Sequence, residues 1–205
     1  MIHAQEQYKD ILLPLLPANT TDAVIGILQE HKIFLRITRS RRSKKGDYRW
    51  PRLGSHHKIS INGNLNPYEF YITFLHELAH LYAWNKYKNS IKPHGLEWKI
   101  ILTNLFFNAL KENVFTQDIN NEIIILVKKM EKGVWSESKL MRCLKTYDNK
   151  TSNDKMLEEI EVGKSFYCNG RMFRKVKKIR TRYQCLCLNN NRVYSFHPLA
   201  SVRIE

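Results

Sequence analysis

The stretch His76-Glu77-Leu78-Ala79-His80 decides how this chain is read. Two histidines four apart lie on one face of an α-helix, because four residues at 3.6 per turn rotate by only about 40°. Their imidazoles can grip one metal ion, and imidazole ligands favour zinc. Glu77 projects near the same ion. There it can take a proton from a bound water whose pKa the metal lowers to roughly 7. Such an arrangement suits the hydrolysis of peptide bonds.

The surrounding residues place this motif in a long buried helix. Asn66-Pro67-Tyr68-Glu69 is a strong start, with Asn66 as N-cap, Pro67 at the first helical position and Glu69 at the third. No Gly or Pro follows until past Lys88, and Phe70, Phe74, Leu75, Leu78, Ala79, Leu81 and Tyr82 supply an apolar face. The competing reading makes His76 and His80 ordinary helix residues with Glu77 on the surface. Two His and a Glu in a mostly apolar segment weigh against it, because such groups are costly to bury unpaired.

A catalytic zinc takes a third protein ligand and keeps one position open. Lys92-Pro93-His94-Gly95-Leu96-Glu97-Trp98-Lys99 offers two candidates, His94 and Glu97. The short form His-Glu-x-x-His-x-x-Gly-x-x-His is excluded, since Ala83 and Lys86 stand where its Gly and His would be. His94 is favoured. It follows a Pro-containing turn and precedes a helix over 95–111, while Glu97 also reads as a first-turn acid favoured by the helix dipole.

His76, Glu77, His80, His94, Gly95 and Trp98 together resemble the SprT-like (Spartan-type) metalloprotease domain. The resemblance extends upstream to Gly46-Asp47-Tyr48-Arg49 and His57-Lys58-Ile59-Ser60-Ile61-Asn62 and covers roughly residues 5–147. It implies one Zn²⁺ held by His76, His80 and His94, Glu77 as general base, and protein substrates bound or crosslinked to DNA. The chain departs from many such proteins in having no Cys-x-x-Cys pair. Its four cysteines are Cys143, Cys168, Cys185 and Cys187, and Cys185-x-Cys187 reads as two small residues packed in a strand. A basic β module stands where many relatives carry a zinc ribbon.

The composition is globular, at 43% hydrophobic and 26% charged over 205 residues, and no apolar run is long enough to span a membrane. The first residues lack a signal-peptide pattern, and unpatterned cysteines suit a reducing compartment, so a cytoplasmic location is expected. The net charge of +15 favours a polyanionic partner, namely DNA. Arg41, Arg42, Lys44 and Lys45 fall in one basic cluster. Arg171, Arg174, Lys175, Lys177, Lys178, Arg180 and Arg182 fall in a second, within a 43-residue tail that has Glu205 as its sole acid. Both clusters are candidate nucleic-acid contacts.

The pattern predicts an α+β, zincin-like domain over 1–147, a linker over 148–157 and a small all-β module over 158–205. Expected elements are helices at 5–16, 22–31, 66–88, 95–111, 118–132 and 137–147, with strands at 33–37, 48–50 and 57–62. In the module, Asn169-Gly170 marks a hairpin, and 179–187 alternates basic or polar residues with Ile179, Tyr183, Cys185 and Cys187; one face of the module is expected to be basic with aromatics interleaved, and most of Phe166, Phe173, Tyr194 and Phe196 are expected in its core. Tyr48 and Tyr82 are candidates to stabilise an oxyanion. The chain therefore reads as a zinc metallopeptidase acting on DNA-bound proteins. The alternative is a nucleic-acid-binding module with a structural or vestigial metal site.

Overall fold

The computed structural model describes residues 8–41, 43–52, 56–134, 137–148 and 154–204. The chain divides into two compact units, Met1–Tyr147 and Asp148–Glu205, and the fold is mixed α+β.

The first unit begins with a helical stretch at 8–12 that tightens into a 3-10 turn at Leu13–Leu15. Helix α1 (Thr21–Glu30) buries Val24 and Leu28. Its N-cap is Thr20, whose hydroxyl donates to the Pro17 carbonyl at 2.7 Å instead of capping the helix.

Strands β1 (Ile33–Thr38), β2 (Gly46–Arg49) and β3 (His57–Asn62) form a sheet of order β1-β3-β2, with β1 parallel and β2 antiparallel to β3. Ile59 and Ile61 of the central strand are fully buried, on the alternation expected of a strand with one face on the core. Strand β2 starts two residues before its expected place, and Arg41 supplies the reason. Its guanidinium donates to Asn62 Oδ1 at 2.8 Å, Ser60 Oγ at 2.9 Å, the Ser60 carbonyl at 3.1 Å and the Lys45 carbonyl at 3.2 Å. The basic loop is thereby fixed across β3, and Gly46 falls opposite Ile61.

Helix α2 (Pro67–Tyr87) is the spine of this unit. Asn66 caps it as read from the sequence, its Oδ1 accepting the Glu69 N–H at 2.9 Å. Its Nδ2 also donates to the Leu144 carbonyl at 2.9 Å, which ties the cap to the last helix of the unit. Glu69 is buried, with Lys45 Nζ at 2.5 Å and Lys145 Nζ at 3.5 Å. Helices α3 (Leu96–Lys111), α4 (Gln117–Glu131) and α5 (Ser138–Lys145) complete the unit. Asp118 on α4 accepts from Tyr147 Oη at 2.8 Å and from the Cys143 thiol at 3.1 Å, which joins α4 to the end of α5.

The second unit is a six-stranded antiparallel sheet of order β4-β9-β5-β6-β7-β8. Its strands are β4 (Asp154–Met156), β5 (Ser165–Cys168), β6 (Arg171–Ile179), β7 (Arg182–Cys187), β8 (Val193–Phe196) and β9 (Ser201–Arg203). Two expectations are corrected. Asp154–Met156, read as the end of a linker, pairs with Ser201–Arg203, because the partner strand lies 45 or more residues away and leaves no local sign. The stretch 179–187 is broken by a two-residue hairpin turn at Arg180-Thr181. Arg180 takes a positive φ of 51°, which an arginine does not advertise; Asn169 and Gly170, at φ 51° and 71°, mark their own turn plainly. Phe166, Phe173, Cys185 and Cys187 are core, with Tyr183, Tyr194 and Phe196 packed half-buried against them, while the basic side chains other than Lys175 lie outside.

Candidate metal centre and cleft

His76 and His80 project from α2 on one face, as four-residue spacing requires. His94 reaches them from the turn before α3, where it takes a positive φ of 57°, a conformation open to His at modest cost. His94 Nε2 lies 3.2 Å from His76 Nε2 and 3.1 Å from His80 Nε2. Among the described residues these three alone form a cluster that could hold a metal. Glu97 is not part of it, and His94 is the candidate that stands beside the other two.

The residues fit a metal well. A tetrahedral zinc with ligand nitrogens at about 2.0–2.1 Å sets those nitrogens roughly 3.3–3.4 Å apart, close to the spacing seen. One imidazole proton can bridge two ring nitrogens but not three, so a cation is what satisfies all three lone pairs. Burial, helped by the neighbouring imidazoles, pushes the pKa of His76 down to about 3 and that of His80 to about 4, and burial lowers His94 as well. Each is therefore neutral near pH 7, the form in which imidazole ligates. Trp98, on the first turn of α3, is 1% exposed, and its ring lies 4.7, 5.1 and 4.6 Å from the rings of His76, His80 and His94. It is the floor against which all three imidazoles are set.

Glu77 lies beside the triad and faces the edge of β2. Burial, reinforced by Asp47, raises its carboxyl to about 8, against the opposing pull of the Tyr48 backbone N–H, Arg41 and Lys44. The approach is close: a Cβ added to Gly46 would stand 2.3 Å from Glu77 Oε1 and 2.8 Å from Glu77 Cγ and Thr73 Cγ2. Gly46 is thus a site residue that the sequence marked only through the family resemblance. No spacing rule links positions 46 and 77; the contact exists because β2 pairs with β3 alongside α2.

A cavity of about 730 Å³ runs past these groups. Toward one end it is lined by Trp50 and Trp84, whose rings stack at 5.0 Å. Toward the other it is lined by Ile72, Leu102, Phe106, Leu126 and Leu140. Tyr48 lines it too, but its hydroxyl sits 2.9 Å from His57 Nδ1. Tyr82 is not among the lining residues and packs edge-on against His31 at 5.1 Å, so it is no oxyanion group.

The basic clusters are divided by the structure. Arg41 is spent on β3, Lys45 on Glu69, and Lys44 pairs with Asp47 at 2.6 Å. Arg42 lies outside the described residues. Lys175 is 3% exposed: its Nζ donates to the Leu157 carbonyl at 2.9 Å and the Ile160 carbonyl at 2.5 Å and lies 3.8 Å from the centre of the Tyr183 ring. It is a buried structural cation and is corrected as a nucleic-acid contact. Its inward register position, opposite Cys185, is what tells it apart from its neighbours. Arg171, Arg174, Lys177, Lys178, Arg180 and Arg182 are exposed. No described helix is long and apolar enough to cross a membrane.

Residues 19–118 match the model of the SprT-like family. Nothing among curated proteins or solved structures matches the chain. The matched residues include β2, the whole of α2 and the turn that carries His94. With the histidine cluster and Glu77 inside the match, residues 19–118 are identified as a SprT-like domain, whose fold is metallopeptidase-like.

Proposed function

We propose that this chain is a zinc-dependent metallopeptidase that acts on proteins bound or crosslinked to DNA. The observation that carries the reading is the convergence of three neutral imidazoles in a cleft with a buried carboxyl group beside them. His76, His80 and His94 would hold the ion, which when bound supplies a Lewis acid and an acidified water. Glu77 takes a proton from the attacking water and passes it to the leaving amine, as a carboxylate beside the bound ion can. The N–H of Tyr48 and the bare Cα of Gly46 fix where that carboxylate points. The outer edge of β2 lies along the cleft and suits an extended substrate strand.

Support for the DNA partner comes from charge. The exposed Arg171, Arg174, Lys177, Lys178, Arg180 and Arg182 suit phosphate contacts. Binding of this kind is indifferent to sequence and steeply salt-dependent.

The test is cleavage of a DNA-bound basic protein by the zinc-loaded chain, with and without single-stranded DNA, beside Glu77→Gln. Cleavage that needs both Glu77 and DNA is expected. Undiminished cleavage by Glu77→Gln refutes the role of Glu77, and cleavage indifferent to DNA refutes the partner.

A further inference from the structure

The cleft does not end at the histidines. It continues along α2 toward that helix's N-terminus, between Ile72 on α2, Leu102 and Phe106 on α3, Leu126 on α4 and Leu140 on α5. Leu102, Phe106, Leu126 and Leu140 are each at most 3% exposed, so this lobe is apolar and narrow, and a side chain entering it must part these residues. Glu137, at the start of α5, lines the same cavity, as do Lys45, Asp47 and Glu77.

Glu137 is unlike the other charged groups nearby. Lys45 is held by Glu69 at 2.5 Å and by Met141 Sδ at 2.7 Å, and Glu69 takes Lys145 as its second cation. Glu137 has no ion pair or side-chain hydrogen bond among the described residues. Lys45 acts on it only through its field, and burial raises its pKa. A carboxylate in apolar surroundings without a hydrogen-bonding cation is a costly arrangement. An apolar side chain entering the recess would desolvate it further. A lysine or arginine side chain would not: its methylene stem matches the leucines and Phe106, and its charged head gives Glu137 a partner.

We propose that this recess is a specificity subsite for a lysine or arginine side chain of the substrate, with Glu137 as the residue that selects it. The inference rests on the peptidase reading for its substrate but not for its test. It also gives the protein a local preference opposite to its overall field, since a net charge of +15 attracts acidic peptides and repels basic ones.

The experiment measures binding, so that it stands apart from catalysis. Fluorescently labelled Gly/Ala/Ser decapeptides carry one central lysine, norleucine or glutamate, and their anisotropy is followed with zinc-loaded Glu77→Gln protein. Norleucine keeps the lysine stem and lacks the ammonium. The lysine peptide is expected to bind about tenfold more tightly than the norleucine peptide, the scale of one charge-assisted hydrogen bond. Adding Glu137→Gln should erase that ratio, and adding Glu137→Lys should turn the preference to glutamate. Circular dichroism and zinc content check that both variants keep their fold. Norleucine binding as tightly as lysine, a ratio unchanged by Glu137→Gln, or an order that follows net charge alone overturns the proposal. The same peptides offered to the unsubstituted chain report on cleavage separately: binding preference without cleavage would sink the peptidase reading and leave the subsite standing.

Discussion

Replacing Gly46 by alanine tests the catalytic geometry without touching a metal ligand or the base itself. Its φ lies outside the left-handed region, so alanine is conformationally allowed there and the whole effect is steric. The new Cβ would stand 2.3 Å from Glu77 Oε1, about 1.1 Å inside ordinary contact at roughly 3.4 Å. Glu77 Cγ and Thr73 Cγ2, both at 2.8 Å, close off the simplest side-chain escape. Glu77 belongs to the most buried helix of the unit, so its backbone will not yield first. Either the carboxylate swings off its position or β2 moves outward. A misplacement of about 1 Å at a reacting group costs on the order of 10²-fold in rate, and overpacking of this kind costs about 1–3 kcal/mol in stability. The assay is kcat and KM on a peptide substrate, with zinc content and Tm measured in parallel. The expected outcome is a fall in kcat of about 10²-fold, zinc content unchanged and Tm lowered by a few degrees. A fully active Gly46→Ala protein would refute the argument that β2 positions Glu77 for proton transfer.

Other outcomes follow from the same geometry. Metal-free protein should be most stable near about pH 6.5 to 7. Below that, unfolded histidines take up protons that native His76, His80 and His94 refuse, so stability falls as pH drops; above it, native Glu77, raised to about 8, holds a proton that the unfolded chain has released, so stability falls as pH rises. Thermal melts from pH 4.5 to 8.5 in a chelator read this out, and Glu77→Gln should remove the alkaline decline. Trp98→Ala should cost about 3–5 kcal/mol as a buried large-to-small change and weaken zinc binding by loosening all three imidazoles, seen by chemical denaturation and metal titration. Lys175→Met should leave DNA affinity and its salt slope unchanged, whereas Lys177→Ala should lower the slope by about one. A loss of DNA binding in Lys175→Met that is still folded would contradict its assignment as a core cation.

The sequence by itself determined what short-range rules can carry. The four-residue spacing of His76 and His80, the Asn66 cap with Pro67 behind it, the uninterrupted apolar face of α2 and the Asn169-Gly170 hairpin are statements about neighbours within one turn of helix or one tight turn of chain, and all four stand in the structure. His94 was legible as a candidate because few ligand-type residues follow the motif; Glu97 could be set aside only once the turn at His94 was seen to aim its ring at the other two. What the tertiary structure decided is every pairing across long sequence separation. Gly46 meets Glu77 because β2 lies along α2, Lys175 turns inward because it sits opposite Cys185, and Arg41 is drawn from solvent onto β3. Charge and residue type are the same for a lysine in the core of a strand pair and a lysine on its outer face. Only the register, set by partners dozens of residues away, separates the structural cation from the surface that can meet a phosphate.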